Sequence, residues 1–210
     1  MFGCKKIGIM GGTFDPVHIG HLIVAEAARD AYDLDEVLFI PTGDPPHKKV
    51  EQLAPADKRA HMLELAVNGN LSFSVDMLEI YRKGITYTVD TLKELKARYP
   101  KDAALYFIIG GDTLLEIDTW KAYEEVVQMC SFIVYQRSGY ESEAVRQEAL
   151  RLLNEYNANI HFVEGPFLEI SSKDIRNRIL LNKTIKYLVP ESIERFIMER
   201  HLYKGELEDV

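Results

Sequence analysis

The sequence predicts an α/β protein built on a doubly wound, mostly parallel sheet, and three observations carry that reading. Short β-branched or aromatic runs alternate with amphipathic stretches of helical length. Several of the runs are apolar throughout, as strands covered on both faces must be. The first run leads straight into a pair of glycines and then a helix, which is how a parallel sheet opens toward a ligand.

Taken in order, the strands fall at residues 6–10, 37–40, 72–75, 105–109, 132–135 and 160–163. Helical patterns lie between them at 19–31, 57–68, 89–99, 121–129 and 141–156. Each crossover is long enough to be right-handed, so helices cover both faces of one open sheet. Two further helices follow the last strand, at 172–181 and 190–201, with Pro190 suited to a first helical turn and Lys204-Gly205 closing the pattern. Neither an internal repeat nor a composition break divides the chain. The reading is a single domain over residues 1–205, followed by an acidic, frayed tail at 206–210.

Composition narrows the function. The chain has 210 residues, 25 Lys plus Arg against 33 Asp plus Glu, and a formal net charge of −8. Binding to DNA or RNA rests on neutralising phosphates with Lys and Arg, so nucleic acid is not the expected partner. Two cysteines, Cys4 and Cys130, supply neither a disulfide framework nor a four-thiolate zinc site. No apolar run reaches the length of a membrane span, and the few apolar residues before Gly11-Gly12 are too short for a signal peptide. The expected home is the cytoplasm, with no membrane partner. Homo-oligomerisation is left open.

The first motif is Gly8-Ile9-Met10-Gly11-Gly12-Thr13-Phe14-Asp15-Pro16-Val17-His18-Ile19-Gly20-His21. Glycines at the end of a buried strand let a ligand approach the backbone, and the helix that follows offers unpaired N–H groups to a phosphate. The spacing matches neither the dinucleotide fingerprint nor the Walker A loop. His18 and His21 are three apart and share one face of the first turn. Two such histidines are ordinarily capping or solvated residues; beside a glycine turn they become donors for charge developing on a phosphoryl group. A second cluster, Glu169-Ile170-Ser171-Ser172-Lys173-Asp174-Ile175-Arg176, reads as a serine-capped helix carrying an arginine fork one turn in. Between the two, the loop 41–49 carries three of the eight prolines and puts His47, Lys48 and Lys49 at its tip.

With both clusters in view, Gly-Gly-Thr-Phe-Asp-Pro-x-His-x-Gly-His and Ile-Ser-Ser-x-x-Ile-Arg resemble the two nucleotide-binding motifs of the bacterial nicotinate-nucleotide (nicotinate mononucleotide) adenylyltransferases. His18-Ile19-Gly20-His21 is the HIGH box of the wider nucleotidyltransferase superfamily. The likeness extends to Pro45-Pro46-His47-Lys48, Gly84-Ile85-Thr86-Tyr87-Thr88-Val89-Asp90-Thr91, Gly110-Gly111-Asp112 and Trp120, in the family's order. It implies a Rossmann-like nucleotidyltransferase fold with C-terminal helices. By the same resemblance, His18, His21 and Arg176 carry catalysis, and Gly11, Gly12, Thr13, Phe14, Gly20, Lys48, Ser171 and Ser172 join them around ATP. Gly110 and Asp112 belong to the adenosine side, with Asp112 bonding the ribose, and Arg137 also lies near the ATP. Trp120 stacks on the pyridine of nicotinate mononucleotide and Thr88 receives its carboxylate; read alone, Trp120 is a half-buried core indole and Thr88 a helix N-cap.

Two positions depart from the family pattern. Lys173 stands where Thr or Ser is common, putting an ammonium in place of a hydroxyl, and Glu116 stands where related enzymes can carry a tyrosine near the pyridine carboxylate. Glu116 is expected to turn outward. The implied reaction transfers the adenylyl group of ATP to nicotinate mononucleotide, giving deamido-NAD and pyrophosphate in NAD biosynthesis, with Mg²⁺ carried by ATP and no dedicated protein metal site. The weighed alternatives are a pantetheine-phosphate adenylyltransferase, a class I aminoacyl-tRNA synthetase, for whose tRNA-binding domains 210 residues leave no room, and a nucleotide sensor without turnover.

Overall fold

The computed structural model describes residues 4–45, 53–137, 142–166 and 168–204. Six strands form one sheet: β1 (Lys6–Gly12), β2 (Glu36–Pro41), β3 (Phe73–Val75), β4 (Ala104–Gly110), β5 (Ser131–Arg137) and β6 (Ile160–Gly165). Their order is β3-β2-β1-β4-β5-β6 and every pairing is parallel, so the sheet is wholly rather than mostly parallel.

The crossovers carry α1 (Ile19–Tyr32), α2 (Ala56–Val67), a single turn α3 (Leu78–Tyr81), α4 (Thr88–Arg98), a short α5 (Gly111–Leu115), α6 (Tyr123–Met129) and α7 (Glu143–Tyr156). Helices α8 (Ser172–Leu180) and α9 (Glu191–Glu199) follow the last strand. The turn α3, the helix α5 and a 3-10 turn at Ile117–Thr119 are additions to the sequence reading. The first two span four and five residues, too short to show a 3.6-residue period. The tail at 206–210, Gly205 and Lys48 lie outside the described residues.

Alternating side chains send the central strands into two cores. Ile7, Ile9, Leu38, Ile40, Phe107, Phe132 and Val134 face α4, α6 and α7 in one cluster. Met10, Val37, Phe39, Ile108 and Ile133 meet residues of α1, α2, α8 and α9 in the other. This two-faced burial is the reason the strands read as continuous apolar runs. A side chain at Gly8 would meet Leu34 Cδ1 at 2.9 Å, so the glycine lets the Leu34 side chain of the α1–β2 connection pack closely against β1. Among the described residues, no helix is long and apolar enough to cross a membrane.

The sheet's winding reverses at β1. Strand β1 pairs with β2 as far as Gly12↔Pro41 but with β4 only as far as Ile9↔Phe107. Strand β4, paired with β5 from Tyr106↔Ser131, continues beyond that point with β5 alone through Gly110↔Tyr135. The carboxyl ends of β1 and β4 therefore splay apart, and a crevice opens where a doubly wound sheet places its ligand.

Candidate active site

That crevice is a cleft of about 1120 Å³. Its floor is the glycine turn, Gly11, Gly12 and Thr13, with His18, Gly20 and His21 at the start of α1. One arm runs toward Thr42, Pro45, Thr86, Tyr87, Thr88, Trp120 and Lys121. The other runs toward Gly110, Gly111, Asp112, Gln136, Ser142, Pro166, Leu168 and Ile170.

His18 is the N-cap residue of α1, extended at φ −142° and ψ 169°, and His21 is the third residue of the helix. The imidazole rings stack at 3.7 Å between centroids, and the His18 backbone N–H donates to His21 Nδ1 at 3.2 Å. An Nδ1 that accepts a hydrogen bond carries no proton, so the neutral His21 ring holds its proton on Nε2. Phe14 lies behind this pair, its ring edge-on to His21 at 5.0 Å and itself buried against Phe39, so it supports His21 from below the cleft surface. His18 is only 6% exposed, its Nδ1 has no partner, and burial pulls its pKa down to about 4. A side chain at Gly20 would sit 3.0 Å from His18 Nδ1, so the glycine between the histidines makes room for the inner ring.

The loop before α1 is held by a buried ionic network that sequence reading missed. Asp15 is fully buried. Its Oδ1 accepts from the Ala54 N–H at 3.1 Å and from the Tyr203 hydroxyl at 2.7 Å, and its Oδ2 faces Arg176 Nη1 at 3.4 Å. The same Arg176 nitrogen donates to the Asp15 carbonyl at 2.6 Å. Arg59, 2% exposed, donates to the carbonyls of Ala54, Thr13 and Gly43 at 3.0, 2.8 and 3.3 Å, tying the glycine turn to the loop after β2. Burial lowers the Arg59 pKa, and the neighbouring Asp15 carboxylate opposes that shift. In sequence the signal was an arginine on the apolar stripe of α2, beside Met62 and Leu63.

Helix α8 docks onto this loop. Ser171 caps it by accepting the Asp174 N–H at 3.0 Å, and the Ser172 hydroxyl donates to the Pro16 carbonyl at 2.9 Å. Ser171, Ser172 and Arg176 thus stand behind the lining, tied to the turn that carries the histidines. Lys173 is exposed. Arg137 is the last residue of β5, and its side chain lies outside what the structure describes.

In the first arm, Trp120 is half-buried, its indole edge-on to Phe107 at 5.7 Å, and it also lines the cleft; it is core and wall at once. Thr88 lines the cleft as the first residue of α4, and Tyr87 takes the N-cap position, with its carbonyl accepting from Asp90 and Thr91. The reading of Thr88 as an N-cap is corrected by one residue. Lys121 Nζ lies 4.1 Å from the Tyr87 ring centroid. Glu79, 8% exposed, reaches the same arm; it accepts from Thr91 Oγ1 at 2.6 Å, Thr91 accepts from Arg82, and burial raises the Glu79 pKa. Glu116 is exposed and does not line the cleft. In the second arm, Gly110 is the N-cap of α5 and Asp112 is the second helical residue, exposed on the wall rather than capping. Among the described residues, no group of three or more His, Cys, Asp or Glu side chains comes together as a metal site.

The doubly wound sheet, the glycine turn and the stacked histidine pair at a helix start define a nucleotide-binding α/β class, and the cytidylyltransferase-like family matches residues 9–178. A Thermoanaerobacter protein carrying the name "probable nicotinate-nucleotide adenylyltransferase" is 46% identical over 97% of this chain and 97% of its own. A Moorella thermoacetica protein of the same name is 45% identical over 98% of this chain and 94% of its own. In fold, the chain is similar to a Plasmodium falciparum nicotinic acid mononucleotide adenylyltransferase complexed with NaAD, at a TM-score of 0.78 and 23% identity, covering 95% of this chain and 97% of the other. The chain belongs to the nicotinate-nucleotide adenylyltransferases of the cytidylyltransferase-like family.

Proposed function

We propose that the protein transfers the adenylyl group of ATP to nicotinate mononucleotide, releasing pyrophosphate and forming deamido-NAD. The observation that carries this reading is the placement of His18 and His21 at the start of α1, in a single cleft whose lining also includes Trp120 and Asp112. The 5′-phosphate of the mononucleotide attacks the α-phosphorus of ATP; a P–O bond forms there as the bond to the β-phosphate oxygen breaks. The nucleophile is already ionised, so the protein's work is to align two anions and to stabilise charge on the α-phosphate and the leaving group.

His21 Nε2–H is the donor for the α-phosphate, its tautomer set by the His18 backbone N–H. Buried and neutral, His18 props His21 and completes the phosphate wall. The backbone of Gly11, Gly12 and Thr13 lets the triphosphate approach, and the family resemblance assigns Lys48 to the same group. Arg176, Ser171 and Ser172 fix α8 against the Asp15-Pro16 turn, and the Arg176 guanidinium supplies positive charge at the triphosphate's edge. Mg²⁺ enters with ATP as part of the substrate. Asp112 accepts from the adenosine ribose, and Arg137 adds charge near the ATP. Trp120 stacks on the pyridine, and Thr88, with the N–H groups opening α4, receives the carboxylate. We assign the protein to the cytoplasm, as one domain over residues 1–205 with an acidic tail.

Turnover with the two mononucleotides tests the reading. A carboxamide would turn its own N–H₂ toward the donors at Thr88, and Glu116, which could favour the amide, faces away from the cleft. The expected kcat/KM with nicotinate mononucleotide is at least ~10²-fold above that with nicotinamide mononucleotide. Equal efficiency with both would refute the carboxylate assignment, and no pyrophosphate release with either would refute the activity.

A further inference from the structure

The second arm holds a side chain that the mechanism leaves unused. Gln136 is the penultimate residue of β5, at the rim of the cleft. Its amide nitrogen is buried and makes no hydrogen bond. Buried donors are otherwise almost always satisfied, and this one belongs to a residue that lines the cleft, where a ligand can supply the missing acceptor. The adjacent Tyr135 hydroxyl donates to the Pro166 carbonyl at 2.8 Å. Leu168, a large apolar side chain left 39% exposed, forms part of the same wall and offers a surface for a flat ring.

We propose that Gln136 is a specificity-determining residue that reads the purine edge of the nucleoside triphosphate and selects adenine. The proposal rests on the functional reading above, which places adenosine in this arm beside Asp112. A glutamine amide is planar and presents one donor direction and one acceptor direction side by side. Adenine matches it on the major-groove edge, where N7 accepts and the 6-amino group donates. Hypoxanthine and guanine present two acceptors there, N7 and O6. Whichever way the amide is turned, one acceptor then faces the Gln136 carbonyl oxygen and the buried nitrogen gains at most one partner. Selection arises from that mismatch, with no need for a clash.

The test compares ATP, inosine triphosphate and 7-deaza-ATP in pyrophosphate-release assays with nicotinate mononucleotide, for the unsubstituted protein and for Gln136→Leu. The expected result is a kcat/KM for ATP at least ~10-fold above either analogue, on the scale of one lost bidentate contact. Gln136→Leu should lower the value for ATP by about the same factor, flatten the differences among the three nucleotides, and leave the KM for the mononucleotide unchanged. A folded Gln136→Leu protein that keeps the original preference for ATP overturns the proposal. If the variant does not fold, the unsubstituted protein decides: equal use of ATP and inosine triphosphate also overturns it. Failure of the functional reading is distinct, because it would appear as no adenylyl transfer from ATP by the unsubstituted protein.

Discussion

The Tyr203 hydroxyl donates to Asp15 Oδ1 at 2.7 Å, joining the end of the described chain to the turn that carries the histidine pair. Asp15 in turn holds Arg176 through both its carboxylate and its carbonyl. The C-terminal segment is thus a fastening for the phosphate side of the cleft. Replacing Tyr203 by Phe removes one hydrogen bond to a buried charged group, a loss of about 1.5–3 kcal/mol. Urea unfolding should report that loss. Steady-state kinetics should show a raised KM for ATP with an unchanged KM for nicotinate mononucleotide. A variant that loses stability but keeps both KM values would reduce Tyr203 to a purely structural role.

Acid should destabilise the protein through His18. Its pKa lies near 4 in the folded chain against an ordinary value of 6.5, with burial as the cause. The unfolded chain therefore binds the proton first, and the stability present above pH 6.5 is lost as pH falls toward 4. At about 1.4 kcal/mol per pKa unit, the full loss is about 3 kcal/mol, of which about 2 kcal/mol is gone by pH 5. Glu79 acts with the opposite sign: its pKa is raised, so the cost of burying its charge is relieved on acidification. Comparing unfolding free energies at pH 7 and pH 5 for the unsubstituted protein and His18→Asn isolates the histidine. The variant should show the smaller drop; identical drops would mean that His18 is not buried neutral.

Trp120 serves the core and the cleft together, through its edge-on contact with Phe107 and its place in the first arm. Trp120→Ala should weaken nicotinate mononucleotide binding by about 1–3 kcal/mol, the scale of stacking on an aromatic ring, and leave ATP affinity nearly unchanged. Trp120→Phe should recover much of that binding. Titration calorimetry with each nucleotide would decide, and parallel loss of both affinities would mark the indole as core alone.

The sheet was legible because burial on both faces writes itself into the central strands. Residues 7–10 and 105–109 are apolar without alternation, and both lie inside central strands. The glycine turn and the two histidines were legible because phosphate binding confines its residues to one strand end and one helical turn. The network of Asp15, Arg59, Arg176 and Tyr203 was not: its members come from four separate segments and no local period connects them. Gln136 gave no signal either, since a glutamine at a strand's end is ordinary until its amide is found buried and unpaired. Tyr87 displaced Thr88 from the N-cap position because the extended residue at 87, with φ −123° and ψ 143°, already presents its carbonyl to Asp90 and Thr91.

His21 is where the account is most exposed. If its Nε2–H stabilises the α-phosphate during adenylyl transfer, His21→Ala should lower kcat for deamido-NAD formation by ~10²-fold or more, while the dissociation constant for ATP changes far less. The direct measurement is single-turnover formation of deamido-NAD from saturating ATP and nicotinate mononucleotide, with folding of the variant checked by thermal unfolding. A folded His21→Ala protein that turns over at a near-normal rate would contradict the assignment of this cleft's chemistry.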